Sequence, residues 1–161
     1  MAPLALTQEP AEVEPSITDT QIALGKKLFE KNCAVCHGAT ALGFVEAKEA
    51  FPEEDRRCYR CHRATTRYID WLNIQDNYMF AIGDPPALRG ERNLKKFGNG
   101  LNLFSYTKST MPRYEPMRLN DSEYWAVIAY LLNLNDFDLN DILGDDALGE
   151  ENAQSIILSS P

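Results

Sequence analysis

Two pentapeptides hold all of this chain's thiols and imidazoles. Cys33-Ala34-Val35-Cys36-His37 and Cys58-Tyr59-Arg60-Cys61-His62 use every cysteine and both histidines of the 161 residues. Two thiols three positions apart at a helix end can reach the two vinyl groups of one haem and form thioethers. The histidine after the second thiol is then placed beneath the iron as an axial ligand. The pattern implies two covalently bound haem c groups, attached through Cys33 and Cys36 and through Cys58 and Cys61, with His37 and His62 as iron ligands. Three other chemistries use paired cysteines. A zinc ribbon also sets one Cys-x-x-Cys against another. Here 21 residues separate the pairs, and zinc gives no reason for a histidine after each. A thioredoxin-type dithiol needs a βαβ setting that the sequence lacks. Disulfides inside each pair would close very short loops and stabilise little. Haem explains the whole set.

With both histidines used, any protein group on the far side of each iron must be of another kind. Thioether sulfur suits iron that changes oxidation state and raises its potential. The internal methionines are Met79, Met111 and Met117, and a methionine is ordinarily a core filler. Met111 is set apart by the following Pro112 and by its place before the last long helix, which makes it the candidate for the haem of His37. For the haem of His62 the candidate is Met79, which could fold back from the end of a helix. Met117 and an open or otherwise filled position remain alternatives. Tyr68, Trp71, Tyr78, Phe80, Phe104, Tyr106 and Trp125 are expected to wall the haems. Arg60, Lys95 and Lys96 could pair with propionates, although a solvated position is more usual for such residues. Lys95 and Lys96 also suggest a local basic patch.

The elements that must position these residues read as helices. Thr18 and Gln21 offer a capping box. Ile22, Gly25, Leu28, Phe29 and Cys33 follow at helical spacing, so a helix delivers the first cysteine pair. Phe51-Pro52-Glu53-Glu54-Asp55 starts a second helix running into Cys58, with proline at its first turn and acids at the positive end of its dipole. Tyr68, Trp71, Leu72, Gln75 and Met79 suggest a third, closed by Gly83-Asp84-Pro85-Pro86. A short fourth is expected from Asn102 to Ser109. In the last, Asn120 and Glu123 form a capping box ahead of an apolar face of Tyr124, Val127, Ile128, Leu131 and Leu132. No strand-like alternation stands out, and the expected class is all-α.

At this point the chain resembles the class I cytochromes c. Gly25-Lys26-Lys27-Leu28-Phe29 leading into Cys33–His37 is similar to their opening helix and haem site. Ile128-Ala129-Tyr130-Leu131 resembles the closing helix against which Gly25 and Phe29 would pack. Pro86-Ala87-Leu88-Arg89-Gly90 resembles the loop whose proline carbonyl accepts a hydrogen bond from the proximal histidine, a contact that fixes the ring and tunes the iron. Thr110-Met111-Pro112 resembles the segment supplying the distal methionine. The resemblance covers residues 17–38 and 84–135, in the family's order. It implies one cytochrome c fold with a haem-bearing insertion, about 39–83, rather than two tandem domains. The expected division is a flexible leader over 1–15, a dihaem domain over 16–135 and an acidic C-terminal tail over 136–161.

Charge and composition narrow the function. A hydrophobic content of 44% and a charged content of 25% suit a soluble globular chain. No run approaches the roughly 18 apolar residues of a membrane span. Residues 1–16 lack the basic and apolar regions of an intact signal peptide. Covalent haem attachment nonetheless points to a periplasmic or other extracytoplasmic site, with any membrane association made through a partner. A net charge of −8 argues against nucleic acid and favours redox partners with basic docking surfaces. Between Asp136 and Pro161 there is acid but no Lys or Arg. That stretch reads as a solvated tail or as a docking segment gripping through Ile156-Ile157-Leu158. Saturated irons suit electron transfer, within a larger redox complex or alone, and no catalytic group is apparent. The rival is a haem enzyme or gas-binding protein using an open iron at the His62 haem.

Overall fold

The computed structural model describes residues 15–50, 85–90, 93–113 and 115–158. The helices expected over 51–58 and 68–79 lie outside these residues, as do residues 1–14 of the leader. Seven α-helices are described: α1 Ile17–Asn32, α2 Ala34–His37, α3 Phe44–Ala50, α4 Gly100–Thr110, α5 Asp121–Leu134, α6 Leu139–Leu143 and α7 Glu150–Ala153. A single 3-10 turn, Lys95–Phe97, precedes α4. Among the described residues the only β pairing is an isolated bridge between Asn99 and Ile157. The fold is all-α.

Helix α5 is the hub. Asn120 caps it, accepting from the Glu123 N–H at 3.0 Å while the Glu123 carboxylate accepts from the Asn120 N–H at 2.9 Å. Every residue from Tyr124 to Leu132 is buried, so the helix is apolar all round, as a helix enclosed by others must be. Helix α1 crosses it at Gly25. A Cβ built there would stand 2.5 Å from the Ala126 carbonyl carbon and 2.9 Å from Tyr130 Cβ, so only glycine admits this approach. One turn on, Phe29 packs on Tyr130 with ring centroids 5.4 Å apart. Helix α4, capped by Asn99 and two residues longer at its start than expected, lays Phe104 flat on Trp125 at 3.8 Å and 8°.

The start of α1 differs from expectation. Ser16, not Thr18, is the N-cap, and it pairs reciprocally with Asp19. An aspartate at the third position adds negative charge at the positive end of the dipole, which Gln21 could not supply. Thr18 and Gln21 are instead held by the C-terminal segment. The buried Thr18 hydroxyl donates to the Asp146 carbonyl at 3.1 Å. The Gln21 amide donates to Leu148 O and accepts from Leu148 N, both at 2.9 Å.

Residues 136–158 are therefore not a solvated tail. Leu139, Leu148, Ala153, Ile156 and Leu158 join the core, and each of the four larger side chains gains about 1.5–3 kcal/mol on burial. Asn140 binds both Ser16 and Asp19. Gly100 N donates to Ile156 O at 3.0 Å and Leu158 N to Gly98 O at 2.9 Å. Of the three residues proposed as a docking grip, Ile156 and Leu158 face inward, while Ile157 is exposed.

Candidate haem site

Cys33 ends α1 and begins α2, and the first pentapeptide closes into a helical turn on it. Cys36 N and His37 N both donate to Cys33 O, at 3.0 and 2.9 Å. That turn sets two half-buried thiols on successive positions of one helical face. Burial, aided by the charge of Cys36, pushes the Cys33 thiol up to about 12. Burial likewise raises Cys36, against the opposing pull of Arg113.

His37 is buried, and its Nδ1 lies 2.9 Å from the Pro86 carbonyl oxygen. A carbonyl can only accept, so Nδ1 carries the proton and Nε2 keeps its lone pair. Burial lowers the pKa of the ring and so favours neutral imidazole; the Pro86 contact opposes this only in part. A neutral ring, oriented through Nδ1 with Nε2 left as a donor, is what an iron ligand requires.

A set of backbone bonds holds that carbonyl in place. Gly43 N donates to His37 O at 2.7 Å, Phe44 N to Pro85 O at 2.9 Å and Leu88 N to Ala41 O at 2.8 Å. Gly43, at φ +80°, comes so close to the 85–87 backbone that a Cβ would overlap it. The Glu46 carboxylate accepts from Thr40 N at 2.9 Å and Leu42 N at 3.2 Å, bracing the turn from outside. At the end of α5, Asn135 donates to Leu88 O at 2.9 Å and accepts from Gly90 N at 2.8 Å. Sequence reasoning missed Glu46 and Asn135. Their contacts are to backbone across a chain reversal, and no residue spacing signals such contacts.

The methionine segment reaches the same end of the bundle. Met111 caps α4 and is half-buried; its N–H bonds Thr107 O at 2.8 Å and its carbonyl accepts from the Tyr124 hydroxyl at 2.7 Å. Arg113 lies within electrostatic reach of Cys36, and Tyr124 of Cys33. Met117 sits exposed in the turn before α5. Tyr106 is also largely exposed, beside Phe97 and beneath Lys96. It borders the surface, whereas Phe104 and Trp125 belong to the core. Cys58, Cys61, His62 and Met79 lie outside the described residues, with Arg60, Tyr68, Trp71, Tyr78 and Phe80.

Paired thiols, an oriented neutral imidazole and a thioether-bearing segment fit haem c. The family model described as cytochrome c matches residues 22–135. The chain belongs to the cytochrome c family. Membership implies covalently bound haem c and haem-based electron transfer rather than catalysis, with other redox proteins as partners. Cytochromes of this family are typically extracytoplasmic, and among the described residues no helix is long and apolar enough to cross a membrane. No curated protein and no solved structure matches the chain. The C-terminal segment that packs on Thr18 and Gln21 lies beyond the matched span of this cytochrome.

Proposed function

We propose that this cytochrome is a periplasmic dihaem carrier that passes electrons between redox proteins, alone or as a subunit of a larger complex. Cys33 and Cys36 would hold the first haem, with His37 and Met111 as the ligands to its iron and Pro86 orienting His37. Cys58 and Cys61 would hold the second, with His62 and Met79 on its iron. When bound, each haem takes up and releases one electron. The residues keep that change small in structural terms. Pro86 fixes the His37 ring, burial keeps water from it, and the 38–43 turn resists movement of the histidine backbone.

The observation that carries the reading is the 2.9 Å contact from buried His37 to Pro86 O. It leaves the Nε2 lone pair available to a metal, on a histidine that is buried yet has no side-chain partner among the described residues. The second haem rests on sequence: an identical Cys-x-x-Cys-His framework recurs, and no cysteine or histidine remains outside the two. Acidic Asp136, Asp138, Asp141, Asp145, Glu150 and Glu151 are exposed on the ordered C-terminal segment. They support a partner with a basic docking face, since opposite charges steer encounter.

A pyridine haemochrome assay on the mature protein should give two haems per chain, falling to one in the double variant Cys58→Ala, Cys61→Ala. A value of one in the unaltered protein would refute the dihaem assignment. Carbon monoxide should bind the reduced protein slowly and below stoichiometry. Rapid binding at one iron would instead support gas binding or catalysis at the His62 haem.

A further inference from the structure

The loop between α4 and α5 is held at its neck. Lys108 and Asp121 form an ion pair at 2.6 Å, and Met117 N donates to Lys108 O at 3.1 Å. Inside the neck, Met111 begins the loop, and the buried Pro112 follows it. Both backbone polar groups of Met111 are engaged. Its N–H continues the ladder of α4 to Thr107 O, and its carbonyl receives the Tyr124 hydroxyl from α5 at 2.7 Å. Only the thioether arm is then left to move.

Tyr124 is built for this contact. It is 1% exposed, and it stands in the first turn of α5, directly after the Asn120–Glu123 capping box that fixes the helix start. Phe104 packs edge-on against its ring, with centroids 6.4 Å apart at 89°. The ring direction is thus set by packing, and the phenol oxygen reaches across from one helix to the end of another. A phenylalanine would fill the same space and leave the half-buried Met111 carbonyl without this donor. The ring alone would suffice for a core, so the hydroxyl needs its own explanation.

We propose that Tyr124 is a positioning residue for Met111: by anchoring the Met111 carbonyl it holds the thioether in place for the iron and opposes its replacement by other ligands. The proposal rests on Met111 being the distal ligand of the His37 haem. Losing one buried neutral hydrogen bond costs roughly a fivefold to tenfold change in an equilibrium that depends on it. Exchange of Met111 for an added ligand is such an equilibrium.

The test uses the full holoprotein and imidazole as the competing ligand. In the ferric state, loss of the far-red charge-transfer band of methionine-ligated haem is followed as imidazole is added. The component absent from Met111→Ala belongs to Met111. Tyr124→Phe should bind imidazole about five to ten times more tightly at that component. Leu148→Ala, which loosens the core at the C-terminal segment and leaves Tyr124 and Phe104 untouched, serves as the packing control. It should lower the guanidinium midpoint while leaving imidazole affinity near that of the unaltered protein. Equal imidazole affinity in Tyr124→Phe and the unaltered protein overturns the positioning role and leaves Met111 as ligand. A band that is unchanged in Met111→Ala removes Met111 from the iron, and the proposal falls with it.

Discussion

Replacing Gly25 by alanine opposes two effects of different sign, and the structure decides between them. In an unobstructed helix interior the change should stabilise by about 1 kcal/mol, because glycine is the poorer helix former. Here the new Cβ would meet the Ala126 carbonyl carbon at 2.5 Å and Tyr130 Cβ at 2.9 Å. Carbon atoms pack at about 3.5–4.0 Å, so α1 and α5 would have to separate by roughly 1 Å. The obstruction is mainly helix backbone, which cannot rotate aside as a side chain can. Overpacking of this kind costs about 3 kcal/mol, the upper part of its usual range. The net expectation is a loss of about 2 kcal/mol, or roughly 4–8 °C in Tm for a chain of this size. Guanidinium unfolding of the holoprotein, followed by far-ultraviolet circular dichroism, measures it. Gly149→Ala is the control: nothing lies within 4 Å of its Cβ position, and it should cost about 1 kcal/mol or less, the effect of a poorer N-cap on α7. A neutral or stabilised Gly25→Ala protein would refute the close-approach argument.

Leu148→Ala, at a side chain 2% exposed, should cost about 3 kcal/mol. Ile157→Ala, 56% exposed, should cost about 0.5 kcal/mol or less; equal losses at the two sites in denaturant titrations would contradict the packed C-terminal segment. Thr18→Val removes the hydroxyl bonded to Asp146 O and should cost about 1–2 kcal/mol by the same measurement, whereas an unchanged midpoint would make that bond energetically idle. Burial pushes Glu46 upward, but the N–H groups of Thr40 and Leu42 outweigh it and hold the carboxylate below its ordinary value. A lowered folded value means the stabilisation is complete above the unfolded pKa and disappears as pH falls through the folded one. The gap in denaturation midpoint between the unaltered protein and Glu46→Gln should therefore be wide at neutral pH and narrow in strong acid; a gap independent of pH would disprove the carboxylate's role.

The sequence made legible those parts of the fold whose signals are local. The Asn120–Glu123 box, the apolar run from Tyr124 and the Cys33–His37 turn each depend on residues within two turns of one another. Helix α4 was placed to within two residues at its start, and Asn99 shows why: asparagine ahead of a glycine caps the helix earlier than the first apolar residue suggests. Thr18 and Gln21 satisfied a capping pattern equally well as Ser16 and Asp19. Which pair would cap depended on Asp146 and Leu148, more than 120 positions away. The C-terminal segment misled for a related reason. Its charge is carried on outward positions and advertises solvent, whereas Leu139, Leu148, Ile156 and Leu158 are spaced too irregularly to show a helical or strand period. Helix α3 carried no advance signal, because Val45 faces outward and Ala47 inward in a stretch too short for a periodic face. At the site, the residues that would carry chemistry were readable by type and spacing. Those that brace them, Glu46, Asn135 and the Tyr124 hydroxyl, act on backbone atoms of other segments.

The close approach of α1 to α5 also imposes an order of events. The groove at Gly25 is filled by Ala126 and Tyr130, Thr18 is covered by residue 146, and Gln21 by residue 148. A chain made or threaded from its N-terminus thus finishes its first cysteine-bearing helix long before anything that can cover it. Closing so large a span is entropically unfavourable until the distant contacts form. For most of the chain's emergence, Cys33 and Cys36 stay accessible to the chemistry that would join them to haem. Burial of that helix waits for the last part of the chain to arrive.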